Sequence, residues 1–237
     1  MSREGQALVT VMIGVYNAEA YVAEAIESVL AQSYSPIELI VVDDGSDDRT
    51  AEVVALYRPA VRFVKQQRGG IGAARNRAAE LADGDFLAFL DADDRFVADK
   101  IERQLDAFAA DPSLDVVYGH VREFISPDLD SAVAARLRPP VADAPWPTPN
   151  LMLVTRDAFF RVGGFSTTLR VGVGVDWCAR AQEAGLRSHV LPGVVLERRL
   201  HSANNGLRES DSRGHYARVL KAALDRRRAA DPTTFGD

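Results

Sequence analysis

Two short strings of the sequence concentrate carboxylates: Asp43-Asp44-Gly45-Ser46 and Asp91-Ala92-Asp93-Asp94, five acidic side chains in all. Crowding that much like charge is unfavourable unless a cation or a hydrogen-bonding ligand offsets it, because neighbouring carboxylates push one another towards protonation. A divalent metal is the natural offset. Alternate residues leaving a strand point the same way, so Asp91 and Asp93 can address one site. A few hard oxygen donors suit Mg²⁺ or Mn²⁺, which keep open positions for phosphate oxygens. The same residues also have a plainer use as helix caps, Asp94 ahead of Phe96 to Asp99 and Ser46 or Asp47 ahead of Thr50.

The run Arg68 to Asn76 (RGGIGAARN) is a glycine-rich turn opening a helix. Backbone amides at such a start favour an anion, and Arg75 lies one to two turns in; the alternative is a flexible turn before a well-packed alanine helix. No Walker loop is present, and Gly70-Ile71-Gly72 lacks the third spaced glycine of the dinucleotide fingerprint. Tyr16 offers a flat ring on which a base can stack, and Asp44 a carboxylate that can accept from an imide N–H such as uracil N3. Tyr16 has the alternative role of plugging the top of a sheet.

These residues need elements to position them. Leu8 to Gly14 is a β-branched run, and Tyr21, Val22, Ala25, Ile26, Val29 and Leu30 recur at helical spacing behind Asn17 as the expected cap. The alternation continues with strands at Ile37–Val42, Val61–Val64 and Phe86–Leu90, and helices at Thr50–Leu56, Ile71–Leu81 and around Ile101, Leu105 and Phe108. Strands apolar on both faces, alternating with helices, imply a parallel sheet covered on both sides. The carboxylates then fall at the strand carboxyl ends, where such sheets bind ligands. The second half is less regular: strands at Val116–Gly119, Leu151–Val154 and Val194–Leu196, helices at Asp157–Val162 and Asp176–Ala184, and a proline-rich connection from Ser126 to Pro149 that suits a lid or acceptor wall. A last helix is expected over Ser212 to Asp231, with Tyr216, Val219, Leu220 and Leu224 inward and Arg213, Arg218, Lys221 and Arg226 to Arg228 outward.

Composition narrows the partners. The chain has 237 residues, 28 Lys+Arg against 34 Asp+Glu (net −6), 47% hydrophobic residues and one cysteine, Cys178. That balance disfavours nucleic acid, which needs a basic face. A single cysteine makes no internal disulfide or zinc cluster and fits a reducing compartment. No apolar run approaches the roughly 20 residues that span a bilayer, and no apolar signal follows Met1 to Gln6, so a cytoplasmic protein is expected. The basic C-terminal helix leaves a peripheral membrane contact open.

The strings VTVMIGVYNAEAYVAEAIESVLAQSY, ELIVVDDGSDDRT, GGIGAARNRAAELADGDFLAFLDADD, VGGFSTTLRVGVGVDWCAR and RRLHSANNG resemble family 2 glycosyltransferases of the GT-A fold, in order from about Leu8 to Gly206. The resemblance implies an α/β fold with a Rossmann-like, mostly parallel central sheet flanked by helices, an irregular acceptor-side second half and a C-terminal helix. It implies one glycosyltransferase domain over 1–237: a nucleotide-binding half over 1–110, an acceptor-binding half over 111–206, and a basic helix and tail over 207–237. The implied activity is metal-dependent, inverting transfer of a hexosyl group from a nucleotide-diphosphate donor, a UDP-sugar first, to an acceptor hydroxyl. The acceptor itself (glycan, lipid carrier, peptide or small molecule) is not specified. Gly14, Val15, Tyr16 and Asp44 would hold the nucleobase, Arg75 would lie near the nucleotide, and Asp91, with Ala92 between, would face the ribose. Asp93 would hold Mn²⁺ or Mg²⁺ on the diphosphate, His201 would ligate that metal or touch the diphosphate, and Asp176 would be the general base. Val175 stands where the family usually has Glu, which removes whatever that Glu contributes on the acceptor side. Asn150 and Trp177 fall, by position, on the acceptor side. Two rivals compete: a non-catalytic nucleotide-sugar binding module, and a sugar nucleotidyltransferase, whose G-x-G-T/S-R loop after strand one is absent here.

Overall fold

β1 (Val9–Val15) is buried along its whole length, so it must run through the middle of a sheet with both faces covered. In the computed structural model it does. The structure describes residues 5–127, 129, 131–135, 143–145, 147–201, 219, 221–223 and 225–226. β1 lies between β2 (Ile37–Asp43) and β4 (Phe86–Asp91), with β3 (Arg62–Lys65) beyond β2, all four parallel. The connecting helices are α1 (Val22–Leu30), α2 (Thr50–Ala55) and α3 (Ile71–Leu81). Register pairs Val15 with Asp43 and Gly14 with Asp91, so the end of β1 is flanked by the two acidic strings.

Past β4 the sheet stops being parallel. Its order continues through β8 (Leu153–Thr155), β6 (Val116–Ile125), β9 (Ser188–Leu200) and β5 (Arg95–Phe96), with β8 antiparallel to β4 and β6, β9 parallel to β6, and β5 antiparallel to β9. The four strands of the first half form the expected parallel sheet, and the whole is the expected mixed α/β fold with a mostly parallel central sheet. β6 and β9 run longer than the sequence suggests, because two register irregularities between Tyr118 and Val121 let pairing pass Pro192 and Gly193. Pairing of Arg95 with Glu197 then carries Arg199 and His201 back to the Asp91–Asp94 turn. α4 (Lys100–Ala110) follows β5, and α6 (Arg156–Val162) and α7 (Val173–Glu183) complete the second half.

Several local expectations need correction. Asn17 is not the cap of α1: that helix begins after Tyr21, and Asn17 sits at φ 48°, accepting from the Asp47 amide through its side chain. The region read as a strand at Leu151–Val154 opens as a 3-10 turn, Pro149–Leu151. α7 starts at Val173 rather than Asp176, with Gly172 at φ 78° before it and Gly174 inside its first turn. A Cβ on Gly174 would meet the Pro149 ring at 2.6 Å, so only glycine lets the helix start against the 3-10 turn. In the Ser126–Pro149 connection, α5 (Ser131–Ala134) and β7 (Ala144–Pro145), which pairs with β6, are described, and residues 128, 130, 136–142 and 146 lie outside the described residues. Most of the expected C-terminal helix also lies outside them, including Arg213, Tyr216, Arg218, Leu220, Leu224, Arg227 and Arg228. Val219 is buried as expected, and Lys221 is exposed. Arg226 does not face solvent freely but pairs with Glu183 of α7 at 2.7 Å. Among the described residues no helix is long and apolar enough to cross a membrane.

The two halves are joined by a buried polar network. Gln104 of α4 donates to the carbonyls of Val117 and Leu151, each at 2.8 Å, and accepts from Lys100 Nζ at 2.5 Å. Lys100 is fully buried over the Phe96 ring, and burial pulls its pKa down to about 7. Between that value and the ordinary lysine value the unfolded chain binds a proton that the native one does not, so this group adds stability as pH rises and none of that gain remains below about 7. We expect the unfolding free energy of the wild type, relative to Lys100→Met, to increase between pH 7 and 9.5 at up to about 1.4 kcal/mol per pH unit. Parallel pH profiles in urea titrations of the two proteins would show that Lys100 stays charged.

Candidate functional site

Asp91 ends β4 and Asp94 closes the turn after it, its amide donating to the Asp91 carbonyl at 3.1 Å. Carboxylate oxygens of Asp91, Asp93 and Asp94 come within 4.8 Å of one another. Asp91 is held from α3 and the 3-10 turn, Asp93 and Asp94 from the end of β9. Asp91 is clasped on both oxygens: Arg75 of α3 donates to Oδ1 at 2.6 Å, and Asn150 of the 3-10 turn donates to Oδ2 at 2.5 Å. Arg75 also donates to Asn150 Oδ1 at 2.9 Å, closing a three-residue ring. Asp93 Oδ2 lies 2.9 Å from His201 Nε2. Asp94 Oδ1 accepts from the Arg199 amide at 3.0 Å. Burial first, then the charges of Asp93 and Asp91, push the Asp94 carboxyl well above the usual carboxylate range.

That arrangement fits a divalent cation. Three carboxylates with one imidazole at the edge are a hard, oxygen-rich donor set of the kind Mg²⁺ and Mn²⁺ accept. Arg199 braces the cluster from β9. Its guanidinium is buried, donating to Glu24 at 2.6 Å, to the Asp93 carbonyl at 3.1 Å and to Ser126 at 3.2 Å, and it lies over the Tyr21 ring, which in turn packs on His201. The sequence reading missed Arg199. Its signal was its place two residues before His201, since on one strand the two share a face.

The nucleotide-side residues fall at the neighbouring strand ends. Gly14 is covered by α3, where a Cβ would lie 2.9 Å from Ile71 Cδ1, and Val15 is buried; of this trio only Tyr16, 37% exposed, presents a side chain. Ala92 is partly buried and packs on the core. Asp43 is fully buried and staples its own loop, accepting from the Ser46 amide at 2.8 Å. Asp44 accepts from the amides of Gly69 and Gly70, both at 2.7 Å, and from Gln66 Nε2 at 2.8 Å. The glycine-rich turn, open to reading as an anion site or as a plain turn before the helix, gives two of its amides to the protein's own carboxylate. Three of the roughly four acceptor positions of Asp44 are used, which leaves one on Oδ2.

The acceptor-side expectations divide. Asn150 joins the Asp91 ring instead of standing apart from the nucleotide side. Trp177 is 0% exposed, stacked on Phe159 with its indole N–H donating to the Gly163 carbonyl, so it belongs to the core and lines no ligand surface. Periodicity contained that warning, because Val173, Trp177 and Ala181 form one buried stripe of α7. Asp176 lies in the first turn but is not its cap: its amide donates to Gly172, and its carboxylate is 7% exposed, bonded to Arg180 at 2.9 Å and 3.6 Å from Arg226. It is Gly174 that meets Pro149 beside Asn150.

The comparisons agree with this architecture. The chondroitin synthase of Escherichia coli is 29% identical over 229 residues, 92% of this chain and 33% of that protein, so the chain spans a third of this relative's length. The crystal structure of Staphylococcus aureus TarS 1–349 in complex with UDP-GlcNAc superposes with a TM-score of 0.72 at 20% identity, over 91% of this chain and 65% of that one. The mannosyltransferase PcManGT from Pyrobaculum calidifontis, in complex with GDP-Man and Mn²⁺, gives 0.67 at 23% identity, over 90% and 64%. These likenesses show a shared GT-A fold. The family model for glycosyl transferase family 2 matches residues 10–170, the strands, glycine-rich turn and acidic cluster just described, and the chain belongs to that family.

Proposed function

We propose that the chain transfers a hexosyl group from a nucleotide-diphosphate sugar, a UDP-sugar first, to an acceptor hydroxyl with inversion, using a divalent metal. The observation that carries this is the convergence of Asp91, Asp93 and Asp94 beside His201, at the same sheet end as Tyr16 and Asp44. The relatives support it, one crystallised with UDP-GlcNAc and another with GDP-Man and Mn²⁺. The likeness to chondroitin synthase puts a glycan first among acceptors, ahead of a lipid carrier, peptide or small molecule.

In this reading Tyr16 stacks the base and the remaining Oδ2 position of Asp44 accepts its imide N–H. The Arg75–Asn150 clasp fixes the Asp91 carboxylate towards the ribose. Asp93 and His201 are the residues that would hold the metal, which when bound offsets charge on the departing diphosphate. Their separation of 2.9 Å is a direct contact, so the imidazole must turn from the carboxylate for both to serve as ligands. Asp176 is the proposed general base, held at 2.9 Å from Arg180 and 3.6 Å from Arg226 in the first turn of α7. A second reading, a nucleotide-sugar binding module without transfer, is favoured by the same carboxylate's burial in that ion pair and by the side-chainless Gly174 at the start of the helix.

Asp176→Asn separates the two. General-base loss typically lowers turnover by about 10²- to 10⁴-fold. We expect donor binding within about threefold of wild type and transfer reduced at least a hundredfold, read with a radiolabelled UDP-sugar and an oligosaccharide acceptor. Unchanged turnover would restrict Asp176 to its ion pairs; no transfer or donor hydrolysis by the wild type would support the binding module. For the metal, Asp93→Ala should bind UDP equally with and without Mn²⁺ in calorimetry, whereas wild type should bind it at least tenfold tighter with Mn²⁺. A variant that retains the wild-type Mn²⁺ enhancement would contradict the assignment.

A further inference from the structure

Tyr16 does not stand with a bare face. The Arg68 guanidinium lies over its ring, Cζ 3.8 Å from the centroid, and Nη1 donates to the Tyr16 hydroxyl at 2.8 Å. A flat, delocalised group at stacking distance occupies the volume a nucleobase would take. The backbone that carries Arg68 is fixed, because Asp44 holds Gly69, Gly70 and Gln66, and a Cβ on Gly45 would already lie 3.3 Å from the Arg68 amide. The side chain is different: it is exposed, flexible along its stem, and bonded to a neutral hydroxyl.

An exposed cation–π contact is weaker than base–aromatic stacking, so an arriving base displaces the guanidinium from the ring. The pinned backbone keeps it within reach. We propose that Arg68 is a nucleobase-binding residue that moves outward by one stacking layer and covers the outer face of the base, which is then sandwiched between Tyr16 and the guanidinium plane. Planarity suits this role, and its N–H groups can meet the carbonyl oxygens of a pyrimidine ring. The inference rests on the nucleotide reading above and adds to it a residue whose role concerns the base rather than the phosphates.

The test is calorimetric affinity for uridine and for UDP with Mn²⁺, using the whole chain as wild type, Arg68→Ala and Arg68→Lys. Arg68→Ala should lose about tenfold for both ligands alike, since one stacking layer is removed in each case. Arg68→Lys should lose nearly as much, because an ammonium keeps the charge without the plane. A loss confined to UDP would move Arg68 to the phosphates and overturn the proposal. Equal or tighter binding by Arg68→Ala would do the same, showing that the guanidinium only covers an idle ring. Nucleotide binding absent from the wild type would overturn the donor reading and this assignment together, whereas wild-type binding that Arg68→Ala leaves intact overturns this assignment alone.

Discussion

Three carboxylates within 4.8 Å at the end of β4 are an electrostatic problem that the rest of the second half is arranged around. Burial first, and then the charges of Asp93 and Asp91, push the Asp94 carboxyl above the usual carboxylate range. What relief there is comes from distant parts of the chain. α3 sends Arg75, the 3-10 turn sends Asn150, and β9 sends the Arg199 amide and His201. The long β6–β9 pairing and the short β5 strand exist, in this sense, to return residues 199–201 to residues 91–94.

The nucleotide side follows a second constraint, that a carboxylate buried at a strand end must be satisfied. Asp44 achieves this with the amides of Gly69 and Gly70 and so ties the end of β2 to the start of α3, whereas Asp43 accepts from the Ser46 amide on one oxygen and has only Lys65, at 3.5 Å, against the other. The tie places Arg75 under Asp91 and Arg68 over Tyr16. One carboxylate thereby orients both the proposed base subsite and the acidic cluster. The buried Lys100–Gln104 pair performs the corresponding service for the 3-10 turn, fixing the Leu151 and Met152 carbonyls one and two residues beyond Asn150.

The first half was legible in the sequence because its strands and helices obey separate periods, and because a parallel sheet puts strand carboxyl ends, and with them Asp43, Asp44 and Asp91, on one edge. Asn150 was not legible. Its partners, Arg75 and Asp91, are 75 and 59 residues away, and nothing local marks an asparagine after a proline as part of a clasp. The start of α7 differs from the expected Asp176 for a physical reason: the helix takes in Gly174, where Pro149 leaves no room for a Cβ. At the glycine-rich turn the sequence leaves an anion site and a plain turn both open, since it shows the amide donors but not the internal acceptor, Asp44, that takes two of them. Trp177 was placed on the acceptor side by its neighbour Asp176, whereas helical phase puts it a quarter-turn away, in the core.

The central claim is that this sheet edge holds a nucleoside diphosphate with the help of a divalent cation, and thermal shift with UDP, GDP, dTDP and CDP, each with and without Mn²⁺, tests it most directly. Ligand at 100 times its Kd stabilises by about 2.7 kcal/mol, or roughly 5 to 10 °C for a domain of this size. The account predicts a shift in that range for UDP with Mn²⁺, a smaller one without the metal, and smaller ones for the purine nucleotide. Equal, negligible shifts across the panel, or a UDP shift indifferent to Mn²⁺, would contradict it.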